Sequence, residues 1–318
     1  MAASKSRIRK TLSSNTFVLV VIIILIIIGL SLGTKYFASA DNFPVILQTM
    51  TINGVLAIGL TFCILVGGID LSVGSVLSLS GIMLAVSLQA GINPLISILI
   101  SLGTGTICGT VTGIMVSVFR LPAFIATLGM QSVAAGIALT ITDGRPITGV
   151  ITDLRFIGTM RLGPLPLQFL IMLFCFAICF FILQYTRLGR YMYTIGGNAE
   201  AARFSGINLK FYTAIPFALS GLLAAVAAVI MSSRLNSAEA IAGQGTELDA
   251  IAAAIIGGTS MRGGEGKMTG TFLGALLMAV IKNGMVQMGL GTYPQKISIG
   301  VIIIAVVMID ILSRNRRN

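Results

Sequence analysis

Few residues of this chain have the types and spacing that chemistry requires. The sequence contains no histidine and 4 cysteines. Cys175 and Cys179 share a helix face at i,i+4, but nothing nearby completes a metal-ligand set. With Cys63 and Cys108, they fall inside apolar runs, where free cysteine packs as a small hydrophobe. No metal, cofactor or catalytic residue is expected. The glycine-rich run Gly257-Gly258-Thr259-Ser260-Met261-Arg262-Gly263-Gly264-Glu265-Gly266-Lys267 has the look of a phosphate loop. That motif needs glycine five residues before Gly266 and a hydroxyl residue after the lysine. Met261 and Met268 stand there instead, so ATP is not bound by this route. Gly257, Gly258, Gly263 and Gly264, like Gly67, Gly68 and Gly74 in an earlier run, read as turn formers.

The remaining polar side chains of interest sit within apolar stretches. Gln48 and Asn53 lie in one, and Lys282, Asn283 and Gln287 in another, with Asn283 and Gln287 on one face. Polar groups at membrane depth face a bundle interior or a watery path. Their chemistry is hydrogen bonding, either between helices or to a hydroxylated solute, and both roles are open at this level. Paired acids or histidines suited to a proton relay are absent from the spans, as is an arginine-rich voltage sensor.

The elements holding these residues follow from composition. Of 318 residues, 56% are hydrophobic and 10% charged, with a mean hydropathy of +0.99. Soluble domains carry about 25% charged residues. The chain is therefore neither a soluble enzyme nor a nucleic-acid-binding or disordered protein. A membrane crossing takes about 20 residues. Ten apolar stretches qualify, at about Phe17–Leu32, Val45–Val66, Leu71–Leu88, Leu95–Phe119, Ala123–Thr142, Leu165–Tyr185, Phe211–Met231, Leu248–Gly258, Thr269–Met288 and Ile297–Leu312. The expected fold is an all-α polytopic membrane protein: a tail at 1–16, a single membrane domain at 17–312 and a tail at 313–318. Leu248–Gly258 is short for a crossing and reads as a broken or tilted helix, tolerated only beside protein or a wet cavity. Gly105, Gly109 and Gly113 form a ridge of small residues for close helix packing, and Gly270 and Gly274 repeat it.

The start of the chain has the charge and apolar order of a signal peptide. Its apolar run of about 16 residues exceeds the usual 7–15, so the segment reads as an uncleaved first span. Placing residues 1–16 in the cytoplasm sorts the 21 Lys and Arg residues: 14 inside, 6 outside, and Lys282 within a span. This bias puts both termini in the cytoplasm, with an even number of crossings. The same assignment puts the long loop 186–210 inside. Within it, Gly197-Asn198 followed by Ala199–Phe204 reads as a capped short helix, stopped at Ser205-Gly206.

The runs GGIDLSVGS (67–75), GGNAEAARFSGIN (196–208) and ELDAIAAAIIGGTSMRGGEGKMTGT (247–271) resemble the permease subunits of ribose-type ABC sugar importers. That family includes ribose, galactoside, xylose, allose and autoinducer-2 permeases. PAFIATLG (122–129) and SGLLA (220–224) are similar to it too, and the likeness spans nearly the whole chain. The resemblance implies two permease subunits, as homo- or heterodimer, forming a sugar pathway in membrane lipid. Two cytoplasmic ABC ATPase domains would drive it, and an extracytoplasmic sugar-binding protein would deliver the sugar. It implies that Gly197, Asn198, Ala201, Ala202, Arg203, Ser205 and Gly206 form an ATPase-coupling loop. Gln48, Asn53, Asn283 and Gln287 are the residues expected along the pathway. The alternative is a gradient-driven secondary transporter, which would need coupling-ion ligands at mid-membrane.

Overall fold

A computed structural model describes residues 15–315, so the expected tail at 1–16 lies almost wholly outside it, as does the second half of the tail at 313–318. The apolar runs become helices because a span in hydrocarbon has to close its own backbone hydrogen bonds. In order these are α1 (Asn15–Gly33), α2 (Asn42–Leu65), α3 (Val73–Gln89), α4 (Pro94–Ser117) and α5 (Ala123–Thr142). After a short strand β1 (Ile147–Thr148) come α6 (Arg155–Thr159), the strands β2 (Arg161–Leu162) and β3 (Leu165–Pro166), and α7 (Leu167–Tyr185). The long loop contributes α8 (Arg187–Gly197) and α9 (Ala199–Phe204), ahead of α10 (Leu209–Leu235). The chain continues through β4 (Ser237–Ala238), α11 (Thr246–Ile256), α12 (Met268–Gln287) and α13 (Thr292–Asn315). Among the described residues, seven helices are long and apolar enough to cross a membrane, and α3 is a shorter apolar one.

One helix organises the rest. Every residue of α2 from Met50 to Leu65 is buried, and the helix packs against α7, α10, α11 and α12. The expected glycine ridge of α4 lies against α10 of the same chain. A Cβ at Gly113 would stand 3.0 Å from the Ala214 Cα, and one at Gly109 would stand 3.1 Å from the Ala218 Cα. Only glycine lets these backbones meet. The second ridge behaves likewise, with Gly270 against Gly257 and Gly274 against the Ala253 carbonyl. Hydroxyl groups complete the seams: Thr61 and Thr271 share a hydrogen bond of 2.7 Å, and Ser101 Oγ donates to the Ser80 carbonyl at 2.8 Å.

The two ends of the bundle differ. At one, β1 pairs antiparallel with β4, β2 with β3, and Asn236 accepts from the Gly149 amide at 2.9 Å. The other end gathers α8, α9 and the turns near residues 67 and 263. The first helix is part of the packing, since Leu19 and Ile23 bury against Leu277 of α12.

The α4–α10 contact yields a direct test. Gly109→Leu should destabilise the purified chain by about 1–3 kcal/mol, the usual cost of forcing volume into a packed seam. Gly103→Ala, with nothing near its Cβ position, should melt like the wild type. Equal melting midpoints for Gly109→Leu and wild type in detergent would refute the contact.

Candidate functional site

The loop between α7 and α10 is an ordered module. Its first helix, α8, buries Gly189, Met192 and Ile195 and exposes its arginines, Arg187 and Arg190. It is fastened to the turn before α12 by Tyr193, whose hydroxyl donates to the Gly266 carbonyl at 2.7 Å. Burial pushes the Tyr193 phenol above its ordinary pKa, so the donor proton is retained at neutral pH.

The turns around this module are built from glycine for stated reasons. Gly263 and Gly264 have φ of +84° and +73°, and the Gly264 amide donates to the Leu65 carbonyl at 2.8 Å. A side chain at Gly196 would strike that same Leu65 carbonyl. The Gly264 amide is thus spent on closing α2. Gly67 and Gly258 also have positive φ, whereas Gly68, Gly74 and Gly257 are required by close neighbours.

Within α9, Asn198 caps the helix, its Oδ1 accepting from the Ala201 amide at 2.9 Å. Gly206, at φ +78°, turns the chain away, and Ser205 donates to the Ala201 carbonyl at 2.9 Å. Gly197, Asn198, Ala201, Arg203, Ser205 and Gly206 are exposed, as a docking surface needs. Ala202 is not: it is fully buried, so it seats α9 on its own chain rather than on a partner. The residue missed by sequence reasoning is Phe204. Its ring is 84% exposed at the tip of the helix, with the Arg203 guanidinium 5.9 Å from its centroid. The signal was present, since an aromatic at the polar end of a six-residue helix has no core to fill.

The four expected pathway residues separate. Asn283 and Gln287 join Asn42 in a closed network at the strand end of the bundle. Asn42 Nδ2 donates to Asn283 Oδ1 at 2.8 Å, Asn283 Nδ2 returns a bond to Asn42 Oδ1 at 2.9 Å, and Gln287 Nε2 adds one at 3.0 Å. Asn42 also donates to the Phe37 carbonyl at 2.9 Å. This network ties α2 to α12. Gln48 is half-buried, and Asn53 is buried on α2.

Comparison with known proteins agrees with this architecture. Residues 42–312 match the family described as branched-chain amino acid transport system / permease component. The ribose import permease of Escherichia coli (strain K12) is 40% identical over 296 residues, covering 92% of each chain. The D-allose transport system permease of the same organism is 37% identical over 282 residues, 88% of this chain and 86% of the relative. The fructose import permease of Rhizobium meliloti is 33% identical over 301 residues, 92% and 83%. The chain belongs to this permease family. No solved structure matches it. The permease is a multi-pass protein of the bacterial inner membrane.

Two acids of the permease occupy places that sequence reasoning read as free of any acidic site. Glu247 and Asp249 open α11, both buried, and Glu247 Oε2 accepts from the Gly245 amide at 3.0 Å. Asp249 pairs with Lys282 of α12 through Asp249 Oδ2, the side chains being 10% and 21% exposed. Lys282, the lone base within a span, thereby gains its counter-charge. A third acid, Asp70, is fully buried ahead of α3, where its Oδ1 accepts from the Ser72 amide and hydroxyl at 3.0 and 2.6 Å. Among the described residues, no group of His, Cys, Asp and Glu could hold a metal.

Breaking a buried pair leaves a naked charge, at a cost of about 3–5 kcal/mol. Lys282→Met in the permease should therefore lower the melting midpoint and membrane yield strongly, as should Asp249→Asn. The double variant should recover most of the loss. A double variant no better than the singles would disprove the pairing.

Proposed function

We propose that the permease is the membrane-spanning subunit of a ribose-type ABC importer. In this reading two permease subunits, identical or not, form the route for a ribose-like sugar. Two cytoplasmic ATPase domains supply the energy, and an extracytoplasmic binding protein delivers the cargo. The observation that carries the reading is the α8–α9 module. It presents Phe204, Arg203 and Ala201 outward, while Ala202 is buried where α9 packs on α8 and α10. Tyr193 ties α8 to the turn before α12, and the Gly264 amide of that turn closes on Leu65 of α2. Force applied at α9 is transmitted to the central helix through hydrogen bonds rather than through a slack connector. The names of the relatives, which import ribose, allose and fructose, support a sugar as cargo.

The proposed topology has ten crossings, with both termini and the α8–α9 module in the cytoplasm. Its support is the excess of Lys and Arg on that side together with the clustering of the turns near 67, 197 and 263 at one end of the bundle. In this topology α3 and α11 count as crossings although each is short. The gradient-driven alternative needs a carboxylate free to take a coupling ion. Asp249 has Lys282 as counter-ion, and Glu247 and Asp70 are taken up by the Gly245 amide and by Ser72, which argues against it.

Exposed aromatic anchors at interface centres are worth about 2 kcal/mol or more on truncation. Phe204→Asp should therefore weaken ATPase association at least about thirty-fold. Sugar-stimulated hydrolysis in proteoliposomes should fall with it, while the bundle still inserts. Normal co-purification and normal transport would refute the coupling assignment. In the same preparation a cysteine at position 200, on a cysteine-free background, should react only from the cytoplasmic side. Strong labelling from outside intact cells would overturn the topology.

A further inference from the structure

The segment between α10 and α11 crosses part of the bundle without being helical. Two lengths set its depth. α11 has 11 residues, so it is about 16 Å long, roughly half of a 30 Å hydrocarbon core. Its Ala253 carbonyl abuts Gly274 near the start of α12, and its Asp249 reaches Lys282 further along. The start of α11 therefore lies beside the second half of α12, short of its end. On the other side, the Gly243 amide donates to Ser78 Oγ of α3 at 2.9 Å, and Gly74 leaves no room for a Cβ beside the Gly243 carbonyl and the Glu247 carboxylate. Ser78 is itself 11 residues short of the end of α3, again about 16 Å.

One face of this mid-depth segment is open. Ile241 and Leu248 are 58% and 48% exposed, and Gln244 and Gly245 are exposed beside them. The amides of residues 242 to 246 all find acceptors, the last donating to the Gly243 carbonyl at 3.1 Å. The carbonyls of Ala242 and Gln244 accept nothing among the described residues. Facing lipid, each such carbonyl would cost several kcal/mol, and irregular backbone at this depth is tolerated only against protein or water.

We infer that Ile241–Leu248 lines the water-filled route of the importer, with the Gln244 side-chain carboxamide and the open carbonyls of Ala242 and Gln244 as hydrogen-bonding partners for sugar hydroxyls. This deepens the function proposed above and rests on it. The segment differs from the pathway residues expected from sequence. Asn283 is spent on Asn42, whereas Gln244 and its neighbours remain available to a solute. The Asp249–Lys282 pair, one turn further along α11, holds the open segment at its depth without presenting a free charge to a neutral cargo.

The test uses the full importer in proteoliposomes, with Cys63, Cys108, Cys175 and Cys179 replaced. Gln244→Cys and Leu248→Cys are treated with a charged methanethiosulfonate and with an apolar maleimide. Phe174→Cys, on an exposed apolar face of α7, serves as the lipid-facing reference. The charged reagent should modify position 244 or 248 at least ten-fold faster than position 174. Modification should block transport, and D-ribose with its binding protein present should slow it. Reaction with the maleimide alone would overturn the inference, as would spontaneous cross-linking of two copies through position 248, which would make this face a subunit seam. Should Gln244→Cys fail to assemble, Leu248→Cys decides. The cysteine-free parent separates the two claims. If it transports D-ribose but shows no charged-reagent access, this inference fails and the importer reading stands; if it transports without ATP, the importer reading fails.

Discussion

A backbone in hydrocarbon cannot borrow hydrogen bonds from water, and the whole architecture answers that constraint. Most of the chain meets it by being helical. The exceptions are where the interest lies. The turn after α2 closes on the Gly264 amide, the start of α3 is closed by Asp70, and the start of α11 is closed by Glu247. In each case a polar group is buried in protein to finish a helix end. These same three places are the glycine-rich or acid-bearing runs that stand out in the sequence.

The helices of this bundle lie close together, and glycine supplies the proximity. Gly105, Gly109 and Gly113 bring α4 onto α10, and Gly257, Gly270 and Gly274 bring α11 onto α12. Without a hydrophobic driving force between helices in lipid, van der Waals contact and a few hydroxyl bonds carry the association. The glycine ridges thus have a mechanical meaning. In the coupling role proposed for α9, packing this close around α2 would keep a displacement passed on through Tyr193 from being absorbed.

Much of this was legible in the sequence. The ten apolar runs coincide with helices, and Asn198 and Gly206 bracket α9 where capping chemistry puts it. Gly105, Gly109 and Gly113 announced a close seam. Other features were hidden for physical reasons. Helix α8 was not singled out within the long loop, where its arginines dominate, although Gly189, Met192 and Ile195 give it a buried stripe. The depth of residues 239 to 249 is a tertiary property, and nothing local marks Glu247 and Asp249 as lying inside the bundle. Asn42 fell just ahead of the apolar run of its helix, so its bond to Asn283, 241 positions away, could not be foreseen. Ala202 shows the reverse case, where a small residue suited to docking turned out to be needed internally.

The burial of α2 has a consequence for how the protein is made. This helix emerges from the ribosome ahead of its neighbours: α10, α11 and α12, which cover it, are synthesised well over a hundred residues later. Until then α2 has to wait in lipid or beside the insertion machinery with its future core face bare. Its threonines are suited to that delay, because Thr51 and Thr61 donate to the Leu47 and Ala57 carbonyls of the same helix, at 2.8 and 2.7 Å. Asn53 has no such internal bond among the described residues. The central helix is thus both the last to be enclosed and among the first to be delivered, which makes membrane biogenesis, rather than final stability, the stage at which a polar substitution in α2 does its damage.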